Sequence, residues 1–171
     1  MNKLFLVLFS LIFSITFHQP VLAEDLQYDF SSVKSVPIEL SVIKKISTKE
    51  GVTEGQNVQF KVRKDVLYNG QTIVKAGEII NAKVETVITS GMNGFPAEII
   101  VDDFQIPNIE SSKLLSTYTE VGQNRCLIVY PIKWALTVIP FVGTLTNFIK
   151  GGHASIKPKD KVVIFYYPEW K

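Results

Sequence analysis

Three stretches of the sequence alternate between apolar and polar residues, and this alternation limits the fold more than any other feature. They are Val36–Val42, Val58–Arg63 and Ile79–Val87. Because successive side chains of a β-strand point to opposite faces, a period of two predicts strands with one buried face. Runs of similar composition predict four more strands, at 97–106, 113–119, 126–130 and 161–167. We therefore expect a mainly β fold, either a small antiparallel barrel or a sandwich.

Asn69 and Gly70 separate two short strand-like runs, 66–68 and 71–73. A two-residue type I′ turn requires a positive φ angle at both central residues, and Asn followed by Gly adopts these angles at low cost. The dipeptide therefore predicts a β-hairpin.

A weak internal repeat links this hairpin to the end of the chain. The segment 70–80 aligns without gaps to 152–162. Both copies contain a Gly, a short strand that ends in a β-branched residue, a Lys, a two-residue turn, an acid and an apolar strand. Only the Gly and the Lys are identical. The repeat predicts a paired hairpin edge, that is, two symmetric flaps of one barrel.

The segment from Asp65 to Val84 reads DVLYNGQTIVKAGEIINAKV, and 46–62 precedes it with a matching order of turn and strand. This pattern resembles that of small exported bacterial envelope β-domains of unknown function. It is also similar to part of the β-barrel domain of TrbI-like type IV secretion channel proteins. The resemblance implies an envelope β-barrel that has no known catalytic residues.

The N-terminal residues have the composition of a secretory signal peptide. Lys3 supplies a basic start, residues 4–17 are mostly apolar, and Val21-Leu22-Ala23 fits a small-residue cleavage site. The apolar run is shorter than the roughly 20 residues that span a bilayer as a helix. The expected organisation is a cleaved signal peptide (1–23), a flexible leader (24–35) and a single β-rich domain (36–171). The protein would then be exported to the periplasm or cell envelope, or secreted.

Charge is unevenly distributed along the expected mature chain. Residues 24–120 contain 10 Lys and Arg against 14 Asp and Glu, whereas residues 121–171 contain 7 against 2. The basic part is also the most apolar part. Basic charge beside apolar surface suits an anionic membrane surface or an envelope protein partner. Alternatively, the two parts pack together and neutralise each other.

The segment 132–149 is apolar apart from Lys133, and Pro140 and Gly143 interrupt it. Proline removes a backbone donor and crowds the preceding turn, so we expect a short, kinked apolar helix near the C-terminus. Three interpretations stay open: a transmembrane span, a patch that faces a membrane or partner, and a helix in the core. If the segment faces outward, the candidate interaction surface consists of Lys133, Trp134, Ile139, Phe141, Phe148, Lys150, Lys157, Lys159 and Lys161.

Few residues could perform catalysis or bind a metal. Beyond the expected signal peptide, the sequence has one histidine, His153, and one cysteine, Cys126, which opens an apolar run and is expected to be buried. A metal site needs three or four ligands at suitable spacing. Asp102 and Asp103 are adjacent on a predicted strand and point to opposite faces, so we interpret them as solvated charges. We predict no enzymatic activity, no cofactor or metal, and no nucleic-acid binding.

These features predict a non-enzymatic binding or structural module of the cell envelope. It would be membrane-associated, or bound to an envelope partner, through its basic and apolar C-terminal third. The alternative is a carrier that holds a lipid or another apolar ligand inside a β-barrel, with the apolar helix as its lid.

Overall fold

Strands dominate the computed structural model, which describes residues 34–136 and 142–170. The described strands are β1 Val36–Val42, β2 Ile46–Ser47, β3 Asn57–Val62, β4 Val66–Tyr68, β5 Gln71–Val74, β6 Ile79–Ile88, β7 Glu98–Gln105, β8 Leu114–Leu115, β9 Tyr118–Val121, β10 Ser155–Ile156 and β11 Val162–Tyr166. The helix α1 spans Cys126–Leu136, and 3-10 helices occupy Thr48–Glu50, Met92–Gly94, Ser111–Lys113 and Val142–Phe148. The expected signal peptide lies outside the described residues, as does the expected leader up to residue 33.

Seven of these strands form one antiparallel sheet, in the order β8-β11-β1-β3-β6-β7-β9. Two smaller antiparallel pairs, β2 with β10 and β4 with β5, accompany it. The sheet is curled into a half-barrel, and one short helix follows it near the C-terminus. The predicted fold class, mainly β with one short apolar helix, is confirmed.

The apolar members of each alternation fill the inner face of the curled sheet. In β1, β3 and β6 the apolar residues of the inner face, such as Leu40, Phe60 and Ile80, are buried. Polar residues between them, such as Gln59 and Lys61, are exposed. Phe60 and Phe104 are almost completely buried, with ring centroids 5.1 Å apart. Burying one such side chain stabilises the fold by roughly 1.5–3 kcal/mol. The strands therefore form where the period of two places a continuous apolar face.

The two edges of the sheet meet at one short stretch of chain. β8 pairs with β11 at one edge and β9 pairs with β7 at the other, with Ser116 and Thr117 between β8 and β9. Consecutive Cα atoms are about 3.8 Å apart, so the two edges lie within roughly 11 Å of each other. Asp102 of β7 accepts hydrogen bonds from Ser116 Oγ and from Thr117 Oγ1, the latter at 2.9 Å. This corner divides the strand predicted at 113–119.

An approximate two-fold axis passes between the central strands β1 and β3. β1 has β11 on its outer side, and β3 has β6 on its outer side. β2 follows β1 and pairs with β10, which precedes β11; β4 follows β3 and pairs with β5, which precedes β6. The two sets of four strands therefore have the same pairing.

The residue registers agree with this axis. The Ile43 amide donates to Gln59 O at 2.9 Å, and the Arg63 amide donates to Glu39 O at 2.8 Å. These are the same contact seen from the two sides of the axis. Equivalent cross-strand pairs are Leu40–Val162 with Phe60–Ile80, and Ile46–Ile156 with Val66–Val74.

The turns before β6 and β11 have the same hydrogen bonds. The Lys75 amide donates to Glu78 Oε2 at 3.2 Å, and the Lys157 amide donates to Asp160 Oδ2 at 2.8 Å. In return, the Glu78 and Asp160 amides donate to the carbonyls of Lys75 and Lys157. The weak sequence repeat therefore corresponds to equivalent outer strands of the two halves.

The predicted hairpin is present between β4 and β5. Asn69 has a φ angle of 50° and Gly70 one of 77°, so both central residues are left-handed. These are the angles that a type I′ turn requires.

The strand predicted at 126–130 is wrong, because these residues form the first part of α1. Asn124 Oδ1 accepts a hydrogen bond from the Cys126 amide at 2.9 Å and so satisfies a backbone donor at the start of the helix. The helix contains Pro131 and begins before the segment expected to be helical. Cys126 is partly exposed rather than buried.

Candidate interaction surface

Three helical segments form one cluster, which we call the helical cap: Met92–Gly94, α1 and Val142–Phe148. α1 contacts both 3-10 helices, and these contact each other. The first segment lies between β6 and β7, and the other two lie between β9 and β10. The cap is therefore built from two excursions of the chain out of the sheet.

Backbone hydrogen bonds join the cap to the sheet. The Gly94 amide donates to Ile149 O at 2.8 Å, and the Arg125 amide donates to Gly94 O at 3.0 Å. At the strand ends, the Ala97 amide, directly before β7, donates to Gly152 O at 2.9 Å, and Ala97 O accepts from the Gly122 amide, directly after β9, at 2.8 Å. Three separate parts of the chain are thus held together by their main chains.

Glycine is needed at this junction because the main chains cross at short distances. A Cβ atom on Gly151 would lie 2.0 Å from Phe95 O, and one on Gly122 would lie 2.3 Å from Gly152 O. Both carbonyls belong to the main chain, so neither can move aside by a side-chain rotation. Glycine at these positions therefore lets the main chains at the base of the cap pack directly against each other.

The cap exposes most of its large apolar side chains. The exposed fraction is 86% for Leu127, 75% for Trp134 and 77% for Phe148. Ile139 and Phe141, also expected on this surface, lie outside the described residues. Other exposed apolar residues on or beside the cap are Met92, Phe95, Ile128, Tyr130, Ile132 and Leu145. Within α1 Val129 is the one buried residue, so this helix contributes little to the core.

Lys133 connects the three segments of the cap. Its Nζ donates to Asn93 Oδ1 at 3.3 Å and to Asn147 Oδ1 at 3.0 Å. Both partners are neutral amides, so the positive charge of Lys133 is not neutralised by them. Lys133 therefore positions the cap and also adds cationic charge to it.

The other predicted lysines fall into two groups. Lys150 is exposed and lies directly after the cap. Lys157, Lys159 and Lys161 lie in and after the turn between β10 and β11. The structure therefore places only part of the predicted surface on the cap.

Lys161 is engaged by a carboxylate of β1. Its Nζ lies 3.0 Å from Glu39 Oε1, and Lys64 Nζ lies 3.5 Å from the same atom. The hydrogen bond from Lys161 is the largest influence on the pKa of Glu39; partial desolvation opposes it, and the charges of Lys161 and Lys64 add to it. The net effect is a lowered pKa, so Glu39 stays ionised and holds both lysines.

The residues considered for catalysis are dispersed. His153 is exposed, with Nδ1 3.4 Å from Thr48 Oγ1, whereas Cys126 lies at the start of α1. In the described ranges, no group of three or more His, Cys, Asp or Glu side chains is placed to hold a metal ion.

Asp103 is exposed, as expected of a solvated charge, whereas Asp102 is partly buried and has several hydrogen-bond partners. Asp103 has a φ angle of 54° and forms an ion pair with Lys83 at 3.1 Å. Burial raises the pKa of Asp102, but hydrogen bonds from Ser116, the Asp103 amide and Thr117 together hold it below its usual value. Asp102 thus supports the corner that joins the two edges of the sheet.

A groove of about 670 Å³ lies beside β3 and β6, and the sequence alone does not predict it. Three lysines and five side-chain amides contribute to its lining: Lys44, Lys45, Lys83, Gln56, Asn57, Gln59, Asn81 and Gln105. We call it the amide groove. The amides on the outer faces of β3 and β6 are visible in the sequence, but only the sheet register brings them together.

In the part of the chain that the structure describes, no helix has both the length and the apolarity needed to cross a bilayer. Comparison with known proteins finds no matching family model, no matching curated protein and no matching solved structure.

Proposed function

We propose that this protein is an exported, non-enzymatic module of the cell envelope that docks on an anionic membrane surface through its helical cap. The observation that carries the proposal is the exposure of Leu127, Trp134 and Phe148 on a cap that backbone hydrogen bonds attach to the sheet. Apolar patches of more than a few hundred square ångströms are uncommon on free monomers and often mark interaction sites.

The chemistry of the cap suits a membrane interface. Transfer of one large apolar side chain out of water contributes roughly 1.5–3 kcal/mol, so insertion of three contributes several. Trp134 and Tyr130 have amphipathic rings, which favour the boundary between headgroups and acyl chains.

Charge complementarity favours an anionic surface over a neutral one. Residues 121–159 contain five Lys and Arg and no Asp or Glu. Arg125, Lys133 and Lys150 lie on or next to the cap. Each basic residue near an anionic surface adds about 1 kcal/mol of attraction.

A carrier function has less support, because side chains fill the inner face of the sheet. Phe60 and Phe104 are in contact there, and the aliphatic residues around them are buried. The exposed cap accounts for the same apolar residues without an internal ligand.

Vesicle flotation tests the proposal. The wild-type protein is expected to float with phosphatidylcholine vesicles that contain phosphatidylglycerol, and the double variant Trp134→Ala/Phe148→Ala is expected to bind at least tenfold more weakly. Leu67→Ala is a matched control, because Leu67 is 57% exposed on β4 and belongs to a different element. Circular dichroism establishes that each variant is folded.

Two results would contradict membrane docking. One is that the double variant binds the vesicles as strongly as the wild-type protein does. The other is a lack of flotation by the wild-type protein; if light scattering then finds a dimer that the double variant loses, the cap binds a second copy of the chain instead.

A further inference from the structure

Gln59, which lines the amide groove, has an equivalent residue on the other side of the two-fold axis. Gln59 of β3 is equivalent to Glu39 of β1, because each accepts the matching backbone hydrogen bond from Ile43 or Arg63. Lys44, which follows Ile43, and Lys64, which follows Arg63, are therefore equivalent as well. One half places a carboxylate where the other half places an amide.

At the Glu39 position, one carboxylate of the chain itself engages two lysines. Glu39 Oε1 lies 3.5 Å from Lys64 Nζ and 3.0 Å from Lys161 Nζ. Because Glu39 already supplies a carboxylate to both lysines, this position does not need an anion from a ligand.

In the Gln59 half, no carboxylate is available at the equivalent point. Gln59 donates instead to Asn81 Oδ1 at 3.3 Å. Lys45 pairs with Glu50, and Lys83 pairs with Asp103, but Lys44 has no ion pair among the described residues. The groove therefore lacks the anion that the other half contains.

The other side chains of the lining indicate which functional groups a bound anion would have besides its negative charge. Five carboxamides surround the groove, and each has one acceptor and two donors. Hydroxyl groups both donate and accept, so a polyhydroxylated molecule matches this set. β6 is paired on both of its sides, with β3 and with β7, which disfavours an extended peptide that would bind to it as an added strand.

We infer that the amide groove binds a carboxylated carbohydrate, with its carboxylate beside Lys44 where the other half of the fold has Glu39. The volume of about 670 Å³ lies within the range of small-ligand sites, which is roughly 300–1,000 Å³. This site is separate from the helical cap and does not depend on membrane docking.

Titration with trigalacturonic acid tests the inference, with the neutral galactose trisaccharide for comparison. Calorimetry is expected to detect the acidic trisaccharide with at least tenfold higher affinity than the neutral one. In ¹⁵N-resolved NMR spectra the shifted amides should lie in 43–46, 56–59 and 81–83.

Three variants locate the anion. Lys44→Gln should weaken binding about tenfold because it removes the unpaired charge, and Gln59→Glu should do the same because it supplies the carboxylate internally. Gln59→Glu copies a residue that the other half already accommodates, so it is expected to fold. Lys64→Gln is the control, since it changes the equivalent lysine beside Glu39 and should leave the affinity unchanged.

Three results would overturn the inference: no detectable binding of the acidic trisaccharide, equal affinity for the neutral one, or equal loss of affinity in Lys44→Gln and Lys64→Gln. Flotation with vesicles is unaffected by these outcomes, so failure here is distinguishable from failure of membrane docking.

Discussion

At the scale of single residues, the junction between cap and sheet depends on the absence of side chains. A Cβ atom at Gly151 would lie 2.0 Å from Phe95 O, which is far inside van der Waals contact. Main-chain atoms on both sides cannot move independently, because hydrogen bonds fix them. The junction should therefore be among the parts of the molecule that tolerate amino-acid substitution least.

Gly151→Ala is expected to lower the free energy of unfolding by at least about 3 kcal/mol, at the upper end of overpacking effects. Gly55→Ala is the control: its Cβ would meet nothing within 4 Å, although its φ angle is 76°. The left-handed backbone alone should cost roughly 1–2 kcal/mol. Urea unfolding measures both values, and equal losses would contradict the steric explanation.

Asp102 predicts a specific dependence of stability on pH. Its pKa is lower in the folded protein than in the unfolded chain, where it is about 3.9. The stabilisation from its carboxylate is therefore fully present above pH 4 and is lost as the pH falls through the lowered folded-state pKa.

The variant Asp102→Asn isolates this contribution. The wild-type protein should exceed the variant in unfolding free energy by more at pH 6 than at pH 3, as measured by urea unfolding at both values. A difference that stays constant with pH would show that the hydrogen bonds from Ser116 and Thr117 do not depend on the charge.

At the scale of elements, the two equivalent turns offer a paired test. Glu78→Ala and Asp160→Ala each remove the side-chain acceptor of a backbone amide, and each should cost about 1 kcal/mol. Because the turns belong to different halves, the double variant should cost the sum. Glu85→Ala, an exposed change on β6, serves as the control with little effect. A double variant no worse than either single one would contradict the independence of the halves.

The sequence predicts most strands because burial and period coincide in them. In β1, for example, Ile38, Leu40 and Val42 are both the apolar members of the alternation and the buried residues. In α1, apolar residues and buried residues do not coincide. Leu127 and Ile128 are apolar but exposed, so the sequence pattern there does not identify a buried face. A five-residue apolar run is compatible with a strand or a helix. The hydrogen bond from the Cys126 amide to Asn124 Oδ1 at the start of α1 favours the helix.

The candidate sites differ in how far the sequence reveals them. The exposed Trp134 and Phe148 belong to the surface that composition predicts, because a local excess of basic and apolar residues is visible without a fold. The amide groove is not visible in this way. Lys44, Gln59 and Asn81 come together only through the registers of β1 with β3 and β3 with β6.

At the scale of the whole molecule, the proposed membrane binding should depend on ionic strength. The fraction of protein bound to anionic vesicles is expected to fall severalfold between 50 and 500 mM NaCl, because salt screens the attraction of Arg125 and Lys150. Lys150→Gln should reduce binding at low salt, whereas Lys64→Gln should not, since Lys64 pairs with Glu39. Binding that rises with salt would indicate a purely apolar contact.

The order of strands along the chain determines when the sheet can be completed. β3 to β6 are contiguous, so that half can pair as soon as it is synthesised. β1 pairs mainly with β11, and these strands stand at opposite ends of the described chain. Contacts so distant in sequence form late and slow the folding reaction. A chain that emerges during synthesis therefore stays open, with β1 unpaired on one side, until β11 has emerged.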